Sequence, residues 1–293
     1  MNSSTQAPSA SPSVAPAPPA IPPLGLGTYK VSPDDAERVV SEALELGYRH
    51  VDTATMYGNE EGVGRALAAS GLAREDLFVT TKLDNTETTP ASVRPAFEAS
   101  LERLGLDLVD LYLVHWPMAR STDLAGRWAA VVELLGTGRV TRVGVSNYTA
   151  DHLLTIVDAT GVTPAVNQVE VHPYLAQDAL RAVHRRLGII TEAWSPLARG
   201  RVLVDPAVVA TARRLGATPA QVVLAWHLGR GDVVCPKSTS RTRMAENLAA
   251  RDLLLDDAAR AALDALDRGE RVGSSPERVE ADGGRTRIPQ GTE

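Results

Sequence analysis

Four side chains in this sequence, Asp52, Tyr57, Lys82 and His115, form a set that can protonate a carbonyl oxygen as negative charge builds on it. A free phenol has a pKa near about 10, too high for easy proton donation at neutral pH. An ammonium beside it stabilises the phenolate, so Lys82 is expected to pull the Tyr57 pKa down. Asp52 can keep that ammonium charged and fixed, and His115 can donate a hydrogen bond to the same oxygen and orient it. Such a group performs half of a carbonyl reduction; the other half needs a hydride donor. Taken singly, each residue reads better as an ion pair, a solvated rim charge or a satisfied core histidine. Four compatible types at matching places reverse that order.

The matching places are strand ends. Apolar runs rich in Val, Ile and Leu cover 48–53, 77–83, 109–116, 141–146, 165–171, 189–195 and 232–237, with helical patterns between them. Such runs suit parallel strands buried on both faces. Ser32-Pro33-Asp34-Asp35 supplies a cap, a first-turn proline and first-turn acids for the first helix, and Gly47 is placed to stop it. Strand and helix alternating in one direction mean a parallel sheet with crossovers. An open dinucleotide-binding sheet should carry G-x-G-x-x-G in its first turn. Gly25-Leu26-Gly27, Gly62-Val63-Gly64 and Gly136-Thr137-Gly138 all lack the third glycine. The pattern therefore predicts an α/β fold, a single (β/α)₈ barrel with an extra helix near the C-terminus. Chemistry in such a barrel sits where strands run into their helices. Asp52, Lys82, His115, Ser146, Gln168, Trp194 and Lys237 occupy those ends, 22 to 43 residues apart, and should converge on one rim.

Composition agrees with this reading. The chain has 293 residues, 44% of them hydrophobic, and a net charge of −6. The acidic balance argues against nucleic acid or an anionic membrane as the main partner, and no apolar run reaches the ~18 residues of a span. The single cysteine, Cys235, excludes an internal disulfide framework and suits a reducing, cytoplasmic setting. Residues 1–20 are rich in Ala, Pro and Ser and are expected to be disordered; residues 21–268 are expected to form the barrel, and 269–293 a polar loop or tail. A monomer is expected.

Several longer motifs then resemble one family, the aldo-keto reductases, and within it the bacterial branch that includes 2,5-diketo-gluconate reductases. They run from Gly47-Tyr48-Arg49-His50-Val51-Asp52-Thr53-Ala54 and Tyr57-Gly58-Asn59-Glu60 through Thr80-Thr81-Lys82-Leu83 to Asp110-Leu111-Tyr112-Leu113-Val114-His115-Trp116-Pro117. Gly144-Val145-Ser146-Asn147, Val166-Asn167-Gln168-Val169-Glu170-Val171-His172-Pro173 and Pro236-Lys237-Ser238 complete the series. The resemblance implies NADPH-dependent reduction of aldehydes or ketones, with Tyr57 as general acid and Asp52, Lys82 and His115 completing a tetrad. It implies that Ser146, Asn147 and Gln168 hold the nicotinamide carboxamide, that Trp194 stacks on the ring, and that Ser195 and Leu197 follow the pyrophosphate. Lys237, Ser238 and Arg243 would meet the 2′-phosphate, and Glu246 and Asn247 the adenine; Tyr29, Trp116 and Asp84 would line the substrate side. No metal is implied.

The sequence departs from the family pattern in four places, one of them the C-terminal stretch, which in relatives helps enclose the substrate and here matches only loosely. The region that should carry an N-terminal hairpin is Pro/Ala-rich, so the hairpin is expected to be absent. Asp84 stands where relatives carry an aromatic, which should disfavour carboxylate substrates. Ser240 replaces an arginine of the phosphate loop. Two other functions fit the same scaffold: an NADPH-binding regulatory protein with little turnover, and a lyase using Lys82 through a Schiff base. A metal-dependent hydrolase is weaker, because His50 and His115 offer too few convergent ligands.

Overall fold

The apolar runs become strands because they are buried on both sides, where branched residues suit a pleated backbone. A computed structural model of the chain describes residues 20–282 and 285–287. Its elements are β1 (Leu26–Gly27), α1 (Pro33–Leu46), β2 (His50–Asp52), α2 (Glu60–Ala69), β3 (Phe78–Leu83), α3 (Pro90–Leu104), β4 (Val109–Val114) and α4 (Leu124–Glu133). They continue with β5 (Val140–Ser146), α5 (Ala150–Thr160), β6 (Val166–Glu170), α6 (Asp178–Leu187), β7 (Ile190–Trp194), α7 (Pro206–Leu215), α8 (Pro219–Gly229) and β8 (Val233–Val234). Last come α9 (Arg241–Ala249), α10 (Asp257–Asp264) and an antiparallel pair, β9 (Glu280–Asp282) with β10 (Arg285–Arg287). β1 to β8 lie side by side in sequence order, each parallel to the next. Bridges from Leu24 to Val234 and from Gly27 to Lys237 join the last strand to the first. The sheet closes into the expected barrel.

Helices begin and end where local chemistry tells them to. Ser32 caps α1 by accepting from the Asp35 amide, Pro33 fills the first position, and Gly47 ends the helix at φ 104°. Two helices, α7 and α8, separate β7 from β8, and α10 follows α9, so the helical surplus lies in the last third of the chain. Seven strands match the apolar runs to within a few residues. The eighth, β1, is missing from the sequence reading because it is two residues long and flanked by glycine. A Cβ on Gly27 would lie 2.5 Å from the Cys235 carbonyl oxygen, so the seam that closes the barrel requires glycine there.

One large apolar layer fills the space between strands and helices. A smaller cluster of Phe78, Leu111, Leu113 and Val166 forms another part of the core, with Ile21 packed against it. The N-terminal region in which the hairpin was expected to be absent falls mainly on residues outside the described ones. Residues 1–19 of the Ala/Pro/Ser-rich segment, and 283–284 and 288–293 of the C-terminal stretch, lie outside the described residues.

The packing of α2 on α3 gives a stability prediction. A Cβ on Gly64 would stand 2.3 Å from the Leu104 carbonyl oxygen, a backbone atom with little room to yield. Alanine in a helix interior normally gains about 1 kcal/mol over glycine. Here overpacking, typically about 1–3 kcal/mol, should reverse the sign. Gly64→Ala is expected to lower the denaturant midpoint, and an unchanged or raised midpoint would show that the helices can separate.

Candidate active site

Asp52 ends β2 and Lys82 lies one residue from the end of β3, so parallel pairing of these strands sets their side chains together inside the barrel mouth. Lys82 is fully buried, and its Nζ donates to Asp52 Oδ1 at 2.7 Å, to Oδ2 at 2.8 Å and to the Thr53 carbonyl at 2.8 Å. Tyr57 comes from a 3₁₀ turn, Thr55–Tyr57, which Gly58 ends at φ 65°. Its hydroxyl lies 3.5 Å from Lys82 Nζ. His115, just past β4, meets the Tyr57 ring edge-on with centroids 5.6 Å apart, and Tyr29, just past β1, approaches it at 5.3 Å. The four expected residues are brought together.

Their electrostatics differ from the sequence expectation in one respect. Tyr57 as a whole is partly exposed, but its hydroxyl sits deep among protein atoms. That burial pushes the phenol pKa up to about 12; the Lys82 ammonium works against the rise and the Asp52 carboxylate adds to it. Lys82 therefore offsets part of the shift instead of bringing the phenol below its ordinary value. The geometry gives the reason, because the short contacts of the ammonium go to Asp52 and Thr53 and leave only a long one for Tyr57. Burial pulls the Lys82 pKa down, but the nearby Asp52 carboxylate and the Tyr57 hydroxyl more than compensate, and the ammonium stays charged. His115 is pushed well below its ordinary value, by burial first and then by Lys82 and Arg127. It is a neutral imidazole at pH 7. Its Nδ1 is enclosed without a partner, which leaves Nε2 as the nitrogen able to serve a carbonyl oxygen.

Around this centre the residues expected at a nicotinamide are tightly bound to one another. Ser146 Oγ donates to the Gln168 carbonyl at 2.8 Å, and Asn147 Nδ2 donates to the His115 carbonyl and to Ser146 Oγ, both at 3.0 Å. Trp194 Nε1 donates to Asn147 Oδ1 at 2.8 Å, fixing the indole at the end of β7. Gln168 Nε2 donates to Asp52 Oδ1 and to Glu192 Oε1.

The residues expected along a dinucleotide converge on a neighbouring cleft of about 750 Å³. Ser195, Leu197, Lys237, Ser238, Arg243, Glu246, Asn247 and Tyr29 all line it. Ser195, Ala198 and Arg199 hold positive φ of 49°, 47° and 54° there, a sparsely populated conformation for non-glycine residues that clusters at ligand sites. Lys237 and Ser238 lie just before the N-terminus of α9, where backbone N–H groups and the helix dipole favour an anion. Arg241 pairs with Glu45 at 2.7 Å, whereas Arg243 lines the cleft. Ser240 caps α9 through the Arg243 amide, a task an arginine could not perform. A phosphorylated dinucleotide fits this donor set: cations and a helix N-terminus at one end, amide and indole groups at the other.

Of the expected substrate-side residues, Trp116 is buried and packs with Met118, Val279 and Trp194. Tyr29 lines the dinucleotide cleft as well as touching Tyr57. Asp84 accepts from the Thr86 amide and hydroxyl, both at 2.9 Å. Three contributors escaped the sequence reading. Arg127 is wholly buried and donates to the Trp116 carbonyl at 3.1 Å and the Asp84 carbonyl at 3.4 Å, tying two strand exits together. Glu170 Oε1 accepts from the amides of Val272 and Gly273 at 2.6 and 3.0 Å, docking the C-terminal segment. A Cβ on Gly273 would lie 2.3 Å from the Trp194 ring, so that segment closes over the indole. Glu192, the third, is a fully buried acid in the middle of β7. That anomaly was legible in the apolar run 189–195.

Residues 23–268 match the aldo/keto reductase family. An aldo-keto reductase of Mycolicibacterium smegmatis is 45% identical over 256 residues, covering 87% of this chain and 93% of that protein. The apo crystal structure of Gox0644 superposes with a TM-score of 0.84 at 46% identity, covering 87% of this chain and 93% of that one. A variant of Gox0644 in complex with NADPH gives 0.84 at 44% identity over 89% and 95% of the two chains. The Bombyx mori aldo-keto reductase in complex with NADP gives 0.80 at 35% identity over 86% and 91%. This chain belongs to the aldo/keto reductase family.

Proposed function

We propose that the protein reduces aldehydes and ketones to alcohols, using NADPH and the Tyr57 proton. NADPH, held by Lys237, Ser238 and Arg243 at its phosphate end, supplies the hydride when bound. Support comes from the related structures that carry NADPH or NADP and from the cations and helix N-terminus of the cleft. The observation that carries the reading is the contact of Tyr57 Oη with a buried ammonium locked on Asp52.

The residues divide the work. Tyr57 carries its proton throughout the neutral range, since its pKa lies near 12, and gives it up only to an oxygen on which charge is developing. Lys82 keeps a positive charge beside the phenolate that remains, and Asp52 keeps Lys82 in place. Neutral His115 orients the carbonyl oxygen by hydrogen bonding. Arg127 and the segment docked by Glu170 hold the walls around Trp116 and Trp194 and limit the access of water.

The rival readings fare less well. A Schiff-base lysine must present a free amine, but Lys82 is charged and donates to Asp52 and Thr53. A regulatory binding protein has no need of a complete proton-donating group. Following NADPH loss across glyoxals, aromatic aldehydes, keto-sugars and keto-acids tests the reading; binding of NADPH with no turnover on any of them would favour the regulatory protein. Arg243 supplies a guanidinium for a dianionic phosphate. Arg243→Ala is expected to raise the KM for NADPH by about tenfold or more and leave that for NADH nearly unchanged, given roughly 1.5–3 kcal/mol for a charged hydrogen bond. Equal effects on both cofactors would remove Arg243 from the phosphate site.

A further inference from the structure

We infer that Glu192 is a positioning residue that fixes the polarity of the Gln168 side-chain amide, so that Gln168 meets the cofactor only as a hydrogen-bond acceptor. The inference rests on the reading of Gln168 as a partner of the nicotinamide carboxamide.

Gln168 and Glu192 are direct register partners on β6 and β7. Gln168 Nε2 lies 2.7 Å from Glu192 Oε1 and 3.1 Å from Asp52 Oδ1. An amide nitrogen has two hydrogens, and two carboxyl oxygens take both. Turning the amide over would set its oxygen against those same two acceptors in a buried interior, where like partial charges repel strongly and two donors would be lost. The orientation is therefore set by chemistry on both sides. Gln168 Oε1 is left without a protein partner, and it can only accept. A carboxamide offers both an NH₂ and a C=O; only its NH₂ can be received here.

Asp52 alone does not suffice, because it fills one of the two hydrogens and is itself held by Lys82. Glu192 is fully buried in the barrel beside Cys235 and His50, and the Cys235 thiol also donates to its Oε1 at 3.4 Å. Burial, with Asp52 nearby, pushes the Glu192 carboxyl up. Because Oε1 already receives the Gln168 amide and the Cys235 thiol, a proton taken up by Glu192 goes to Oε2, which has no other partner, and Oε1 still accepts.

The test is a fluorescence titration of the full chain with NADPH and with its 3-acetylpyridine analogue, which keeps the ring carbonyl and lacks the NH₂. The wild type is expected to prefer NADPH by about tenfold or more, the range of one hydrogen bond whose loss strands a buried acceptor. Glu192→Met has a similar shape and no oxygen, and should bring the two affinities within about threefold. Glu192→Gln offers a side-chain carbonyl to the Gln168 amide and should keep the wild-type ratio. General loosening of the barrel would weaken both ligands alike and leave the ratio unmoved. Glu192→Ala removes the acceptor with a different volume and serves if the methionine variant does not fold. A wild-type ratio retained in the Met or Ala variant, or no preference in the wild type, overturns the inference. Failure of the wild type to bind either dinucleotide overturns the cofactor reading beneath it.

Discussion

Tyr57→Phe is expected to lower kcat for carbonyl reduction by about 10³-fold or more and to leave NADPH affinity within about twofold. The size follows from removing the proton donor of the reaction, a contribution of roughly 10²–10⁴ for general acid catalysis. The substitution keeps the ring, and with it the edge contact to His115 and the approach of Tyr29. Only the hydroxyl 3.5 Å from Lys82 Nζ is lost. Steady-state NADPH oxidation with a reactive aldehyde gives the rate, and quenching of protein fluorescence gives the binding. A rate within tenfold of wild type would mean that another group donates the proton.

Lys82→Met should be nearly as severe for turnover and, unlike Tyr57→Phe, should also destabilise the fold. The variant leaves the Asp52 carboxylate in the barrel without its counter-charge, a change that typically costs about 3–5 kcal/mol. It also removes the positive charge that opposes the rise of the phenol pKa. Separating the two effects requires a second substitution. In the double variant Asp52→Asn, Lys82→Met no unpaired charge remains, so much of the lost stability should return while kcat stays depressed. Coupling of this kind is expected for residues in direct contact. Parallel recovery of stability and of turnover would reduce the pair to a structural ion pair.

The strand ends were readable because a parallel barrel strand has a plain signature: a short branched run, then a polar residue where the chain leaves the sheet. Asp52, Lys82 and His115 follow that rule, and so their convergence could be read from spacing alone. β1 could not, since Leu26–Gly27 has no run and depends on a close approach to the Cys235 carbonyl contributed by the far end of the barrel. The net rise of the Tyr57 pKa is hidden from the sequence for a related reason. Sequence gives the type of a neighbour but not how its hydrogens are shared, and those of Lys82 go mainly to Asp52 and Thr53. Arg127 looks like a surface residue of an ordinary helix until the fold shows it spanning the backbone of Asp84 and Trp116. The docking of Gly273 over Trp194 depends on Glu170, about a hundred residues earlier in the chain, and no local pattern encodes it.

The pH dependence of the wild-type enzyme in both directions tests the central claim most directly. If Tyr57 is the acid, reduction needs the phenol and alcohol oxidation needs the phenolate. Reduction should then be level across neutral pH and fall only well on the alkaline side, while oxidation climbs as pH rises toward the phenol pKa, which burial places near 12. If protonated His115 were the acid, reduction would already decline as pH rises through the acidic range, because burial and two nearby cations hold that imidazole well below its ordinary pKa. A level neutral limb with an alkaline fall is the predicted result. A reduction rate that already drops away as pH rises through the acidic range would contradict the assignment of the proton to Tyr57.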